Sequence, residues 1–165
     1  AEDGEARFPV INISRELVTD SGGAGQWRGM PGSRNVKRML EPAMAMAWMV
    51  SHDHPISGLA GGADGTPYLN HFQVGTPDEY RVELTARAQL PAGAVIAYQH
   101  GGGAGFGPAL RRDPQAVCED VLDELVSIAA ARDLYGVVLT GCLEDYSLAV
   151  DHAATAALRG ERIAA

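Results

Sequence analysis

The sequence predicts an α+β fold: a β-rich body with glycine turns over residues 1–108, then a segment of short helices over 109–165. Three observations predict it. Apolar residues alternate over short stretches as far as Gln99. Twenty glycines and nine prolines punctuate the 165 residues, most of them in blocks at 22–32, 58–67 and 101–108. After Pro108 the apolar spacing lengthens from two residues to four. The glycines keep no triplet period, which excludes a collagen-like chain, and 46% hydrophobic residues exclude simple disorder. The length suits one domain with a real core, or a piece of something larger.

In chain order, the polar first seven residues are expected to fray. Phe8 to Val18 alternates around Ile11 and Ile13 and reads as extended. Asp20 to Gly32 is a turn-rich region holding Trp27 and Arg28. Asn35 to Leu40 is a strand candidate, and the apolar run Pro42 to Val50 reads as a buried strand or an interface patch. Residues 55–67 are irregular. Tyr68 to Val74, Tyr80 to Leu84 and Ala94 to Gln99 are further strand candidates, with a turn at Leu90-Pro91-Ala92-Gly93.

The helices carry their own start signals. Asp113-Pro114 is an N-cap followed by a first-turn proline, and Val117, Val121 and Leu125 follow at spacing four. Ser127 caps a second helix that ends at Gly136, a left-handed terminator. Val137 to Leu139 is extended, and Asp151 caps a last alanine-rich helix to about Arg159. Helices this short need a surface to pack on.

Thirteen Lys and Arg against 21 Asp and Glu give a net charge of −8, which repels a phosphate backbone. No dense basic footprint exists. Arg34, Lys37 and Arg38 read as solvated surface, with a phosphate or acidic-partner contact as the alternative. No apolar run is long enough for a membrane span, and none reads as a signal peptide. Cys118 and Cys142 have no metal-site spacing and read as reduced thiols of a cytoplasmic protein.

His100 to Pro108 is the strongest local feature. It fails both the G-x-G-x-x-G and the Walker A patterns, so it reads as close backbone packing, with a ligand cradle as the alternative. Gly101, Gly102, Gly103 and Gly105, together with Arg28, are the candidate ligand-binding or cleft-shaping residues. His52-Asp53-His54 reads as a polar loop. Its weaker alternative is a metal site on His52 and His54 completed by His71, Asp64 or His100. Ser21, in its glycine turn, lacks a nucleophile elbow. Asp120, Asp123 and Glu124 fit the solvated face of a helix, and no catalytic residue is assigned. Methionines 30, 39, 44, 46 and 49, with Trp27 and Trp48, read as core or as subunit interface.

The ordered blocks also resemble a known family. Phe8 to Leu17, Asp20 to Gly25 and Arg28-Gly29, then Gly58 to Gly62, His100 to Pro108, Arg112-Asp113-Pro114, Tyr135 to Val138 and Asp151 to Arg159 are similar to the last portion of hydantoinase B/5-oxoprolinase subunits. The resemblance covers nearly the whole chain. It implies a separately encoded or cleaved piece of a B-type subunit, mainly structural or cleft-completing, in a multi-subunit ATP-dependent enzyme that hydrolyses a cyclic amide. A ketone carboxylase of the acetone or acetophenone type is the first alternative, and a free-standing anion-binding module the second. The implied partners are a hydantoinase A-like subunit and the remaining N-terminal part of the B-like subunit. The complex is expected to use ATP and a divalent metal, neither bound by this chain.

Overall fold

A computed structural model describes residues 2–48, 54–82 and 85–164. Met49, Val50, His52, Asp53, Glu83 and Leu84 lie outside the described residues. The chain divides into two compact units, each assembled from separated stretches. The first takes residues 1–17, 32–55 and 67–101; the second takes 18–31, 56–66 and 102–165. This division does not follow a single cut at 108–109. The glycine-rich stretches 18–31 and 56–66 group with the helical segment instead.

In the first unit, α1 (Glu2–Arg7) occupies the stretch expected to fray. Strands β1 (Val10–Leu17), β2 (Ser33–Met39), β7 (Val95–Gln99), β4 (Leu69–Phe72) and β5 (Tyr80–Val82) lie side by side in that order, all antiparallel. A separate hairpin pairs β3 (Ala43–Trp48) with β6 (Thr85–Leu90), the latter a strand the sequence did not announce. Ala43, Ala45 and Ala47 lie opposite Leu90, Ala88 and Ala86, and these six belong to the apolar cluster around Met39, Phe72, Val82 and Leu90. The alternate residues Met44, Met46 and Trp48 are exposed. Period-two alternation thus inverts the core reading of this run, because the alanines pack and the bulky residues do not.

In the second unit, α2 (Pro114–Leu122) starts where Asp113 accepts the Gln115 N–H at 3.1 Å, and α3 (Ile128–Asp133) where Ser127 accepts the Ala130 N–H at 3.0 Å. Gly136, at φ +62, turns the chain into β8 (Leu139–Thr140). That strand pairs with β9 (Ala149–Val150), ahead of α4 (His152–Ala164). Asp151 caps α4 by accepting the Ala154 N–H at 2.9 Å. The core gathers Val117, Cys118, Val121, Ala131, Tyr135 and Val137. Among the described residues, no helix is long and apolar enough to cross a membrane.

The glycine blocks of this unit run backbone against backbone. Gly23 N–H donates to the Gly103 carbonyl and Gly103 N–H to Met30, both at 2.8 Å, while Ala63 N–H donates to Ala24 at 2.7 Å. At three of these glycines an added Cβ would have no room. One on Gly102 falls on the Ser21 carbonyl oxygen, one on Gly29 on that of Gly103, and one on Gly105 on that of Ala24. None of these three has a positive φ, so close approach rather than backbone freedom requires glycine here.

Candidate functional site

The candidate ligand loop is closed by its own unit. Gly102 N–H donates to Thr66 Oγ1 at 3.0 Å, Gly103 N–H to Met30, Gly105 N–H to Ala63 at 2.9 Å and Phe106 N–H to Trp27 at 2.9 Å. A phosphate cradle needs several converging free N–H groups, and these four already have acceptors. Gly101 stands just before them, half-buried. The bulk excluded from this weave lies outside it: Trp27, Leu59 and Phe106 are exposed and joined by backbone bridges.

Arg28 is occupied as well. Its Nη2 lies 3.0 Å from Asp120 Oδ1 and its Nε 3.2 Å from Oδ2, while Arg112 Nη2 lies 2.9 Å from Oδ2. All three side chains are largely buried. Asp120 is therefore no solvated helix residue, correcting that expectation; it neutralises one of two arginines, Arg28 from a distant loop and Arg112 from just ahead of α2. Arg159 reaches the same region, its Nη2 donating to the Arg112 carbonyl at 2.8 Å and its Nε to that of Tyr135 at 3.0 Å.

Of the weaker metal alternative, His52 lies outside the described residues and His54 is exposed. The further ligands considered with them go elsewhere. His71 Nδ1 pairs with Glu79 at 3.0 Å, Asp64 accepts the Gly58 N–H at 2.8 Å, and His100 packs edge-on against Tyr68 and Tyr98. No three His, Cys, Asp or Glu side chains come together among the described residues.

A broad concavity lies in the first unit. A cleft of about 560 Å³ is bordered by β3 and by Phe8, Pro9, Met39, Phe72 and Ile96, and it is mainly apolar. A second, polar hollow of about 360 Å³ is lined by Asn12, Arg15, Ser33, Asn35, Lys37, Tyr98 and His100. The two share Gly4, Lys37, Tyr98 and His100, so together they form one amphiphilic groove. A volume of this order with convergent polar groups is the usual form of a binding site.

Strand register assembles its polar end. Asn12 lies opposite Lys37, Arg15 opposite Asn35, and Asn35 opposite Tyr98. Lys37 Nζ stands 5.4 Å from the Tyr98 ring centre, a cation–π distance. The backbone N–H and Nδ2 of Asn12 donate to Glu5 Oε1 at 2.7 and 2.8 Å. Those two bonds, the backbone one first, hold the Glu5 carboxyl below its usual range, and the charge of Lys37 acts in the same direction. No motif in the sequence marks this cluster. Alternation places Lys37 on the groove side of β2, whereas Arg34 joins His71 and Glu79 in a separate small hollow.

The family model described as Hydantoinase B/oxoprolinase matches residues 1–109. The caprolactamase subunit beta of Pseudomonas jessenii is 36% identical over 143 residues, which cover 83% of this chain and 24% of that protein. The acetone carboxylase alpha subunit of Xanthobacter autotrophicus is 25% identical, over 95% of this chain and 25% of that one. The crystal structure of the ATP-dependent caprolactamase from Pseudomonas jessenii superposes with a TM-score of 0.73 at 34% identity, over 96% of this chain and 28% of that one. This chain spans about a quarter of the length of the relatives it matches.

Proposed function

The chain belongs to the hydantoinase B/oxoprolinase family, and on that premise we propose that it serves a multi-subunit, ATP-dependent enzyme that opens a cyclic amide. One observation carries the reading: identity to the caprolactamase beta subunit is 36%, against 25% to the acetone carboxylase alpha subunit over a comparable share of the chain. Amide opening is therefore preferred to ketone carboxylation. The partners are a hydantoinase A-like subunit and the remainder of a B-type subunit. Two free cysteines, Cys118 and Cys142, fit a reducing cytoplasm.

Within that assembly the role of this portion is to shape rather than to react. The described residues do not fit ATP phosphates, since the N–H groups of Gly102, Gly103 and Gly105 have acceptors. Nor do they fit a divalent metal, since no three donor side chains converge among them. Gly102, Gly103, Gly105 and Arg28 act as builders, three by allowing close backbone approach and one through its buried pair with Asp120.

The test is ATP turnover by the purified complex with caprolactam, 5-oxoproline, hydantoin and simple ketones, each with and without bicarbonate. Lactam-dependent turnover without bicarbonate is expected. Turnover that needs both ketone and bicarbonate would overturn the amide reading. A lone chain that binds nucleotide by calorimetry would overturn the shaping role.

A further inference from the structure

We propose that the amphiphilic groove of the first unit receives a segment of the B-type polypeptide outside this chain, one that carries bulky apolar side chains followed by a carboxylate. The inference rests on the assembly reading above and assigns it a surface.

Three observations lead there. First, the bulky residues of β3 are in the open: Met44, Met46 and Trp48 are 60%, 44% and 68% exposed along the rim of a cleft that is mainly apolar. An exposed apolar patch of this kind marks a contact surface, and methionines adapt to irregular partners. Second, the groove changes character along its length. Its far end offers Lys37 and Arg15, beside Asn12, whose backbone and side-chain donors already hold one carboxylate, that of Glu5. Arg15 makes no ion pair among the described residues, so cationic capacity is left over. A partner that fits both ends is apolar and then acidic. Third, the relatives are about four times as long as the span they share with this chain, so in them further polypeptide of the same subunit is there to supply such a segment. A second copy would instead have to match this groove with its own exposed residues under two-fold symmetry.

The assembly is purified through a tag on the A-type partner, with the photo-crosslinker p-benzoylphenylalanine in place of Met46. The expected product joins this chain to a B-type peptide that holds bulky apolar residues and an Asp or Glu within a few positions. Lys37→Glu is expected to cut that crosslink about tenfold, because like charges then meet. Arg34→Glu, in the same run but outside the groove, leaves it unchanged and controls for general charge loss. A crosslink to a second copy or to the A-type subunit overturns the proposal. So does an intact assembly without a crosslink, or equal yields from the two charge variants. If the unsubstituted chain fails to copurify with B-type polypeptide at all, the assembly reading falls first and this one with it.

Discussion

Asp120 grips Arg28 through both carboxylate oxygens, at 3.0 and 3.2 Å, across 92 positions of sequence. Arg112 shares the same carboxylate at 2.9 Å. The fork fixes the guanidinium plane and ties the loop of Arg28 to α2. Removing the acid leaves two buried cations without their anion, a change that typically costs about 3–5 kcal/mol. Asp120→Asn is therefore expected to lower unfolding stability by that order, read from Trp27 fluorescence in a Trp48→Phe background. Asp3→Asn, which breaks the exposed Arg7–Asp3 pair, is expected to cost no more than about 1 kcal/mol. Equal effects from the two substitutions would refute the structural weight given to Asp120.

The glycine weave predicts opposite signs for two chemically identical substitutions. A Cβ on Gly102 meets the Ser21 carbonyl oxygen, which cannot rotate away, so the backbones must part. Gly102→Ala is expected to destabilise by about 1–3 kcal/mol or more. Gly160 lies inside α4, with nothing within 4 Å of its added Cβ. Gly160→Ala is expected to stabilise by about 0.5–1 kcal/mol, since helix propensity alone decides. Thermal unfolding of the two variants side by side checks the pair of signs.

Elements with a strong local signal were legible in the sequence, and those set by pairing were not. Asp113, Ser127 and Asp151 announced their helices and cap them, because a cap is a contact between near neighbours. The strand β6 has no local signal: Thr85–Leu90 reads threonine, alanine, arginine, alanine, glutamine, leucine, and its alanines join the apolar cluster only because the β3 alanines lie opposite. Asp120 escaped for a related reason. Its neighbours Asp123 and Glu124 do face solvent, and nothing local shows that Arg28 and Arg112 converge on one member of the trio. The groove depends on β7 lying between β2 and β4, an order that no stretch of sequence encodes by itself.

The two thiols are expected to separate cleanly by accessibility. Cys118 is 1% exposed in the second core, and burial pushes its thiol up from 9.0, with Glu119 adding to the effect. Cys142 is exposed and hydrogen-bonds the Glu144 carboxylate. Since the thiolate is the reactive form, Ellman's reagent should titrate one thiol in the folded chain and two after unfolding. Rapid labelling of both thiols without denaturant would contradict the packing of Cys118.

Glu79 gives the first unit an acid-sensitive turn. Its carboxylate accepts the Gly75 N–H at 2.9 Å and pairs with His71 at 3.0 Å, and the backbone bond is the larger cause of a pKa held below 4.5. A depressed carboxylate contributes stability above the unfolded value, and that contribution is lost as pH falls through the folded one. The loss is thus expected below about pH 4.5, not near neutrality. Carbon-13 titration of the Glu79 carboxyl should show a midpoint under 4.5, and Glu79→Gln should flatten this part of the acid response. A midpoint at or above 4.5 would show that the Gly75 bond does not persist in solution.

Tyr135 poses the sharpest test of the second core. It is 1% exposed, and its hydroxyl has no hydrogen-bond partner among the described residues, nor does the buried Nε of Arg112. A buried hydroxyl left unpaired costs about 1–3 kcal/mol, whereas the ring itself fills core volume. Tyr135→Phe keeps the ring and removes the unpaired oxygen, so it is expected to raise stability by up to that amount, or about 2–4 °C in Tm per kcal/mol. Alkaline pH supplies an independent reading. Burial raises the phenol above 10.0, so folding favours its neutral form; the associated stability is full below 10 and drains as pH climbs through the folded value. The wild-type chain should accordingly lose stability above pH 10 more steeply than Tyr135→Phe. A variant less stable than the wild type by more than about 1 kcal/mol would mean that a bound water or a shifted side chain satisfies the hydroxyl, and would overturn the prediction.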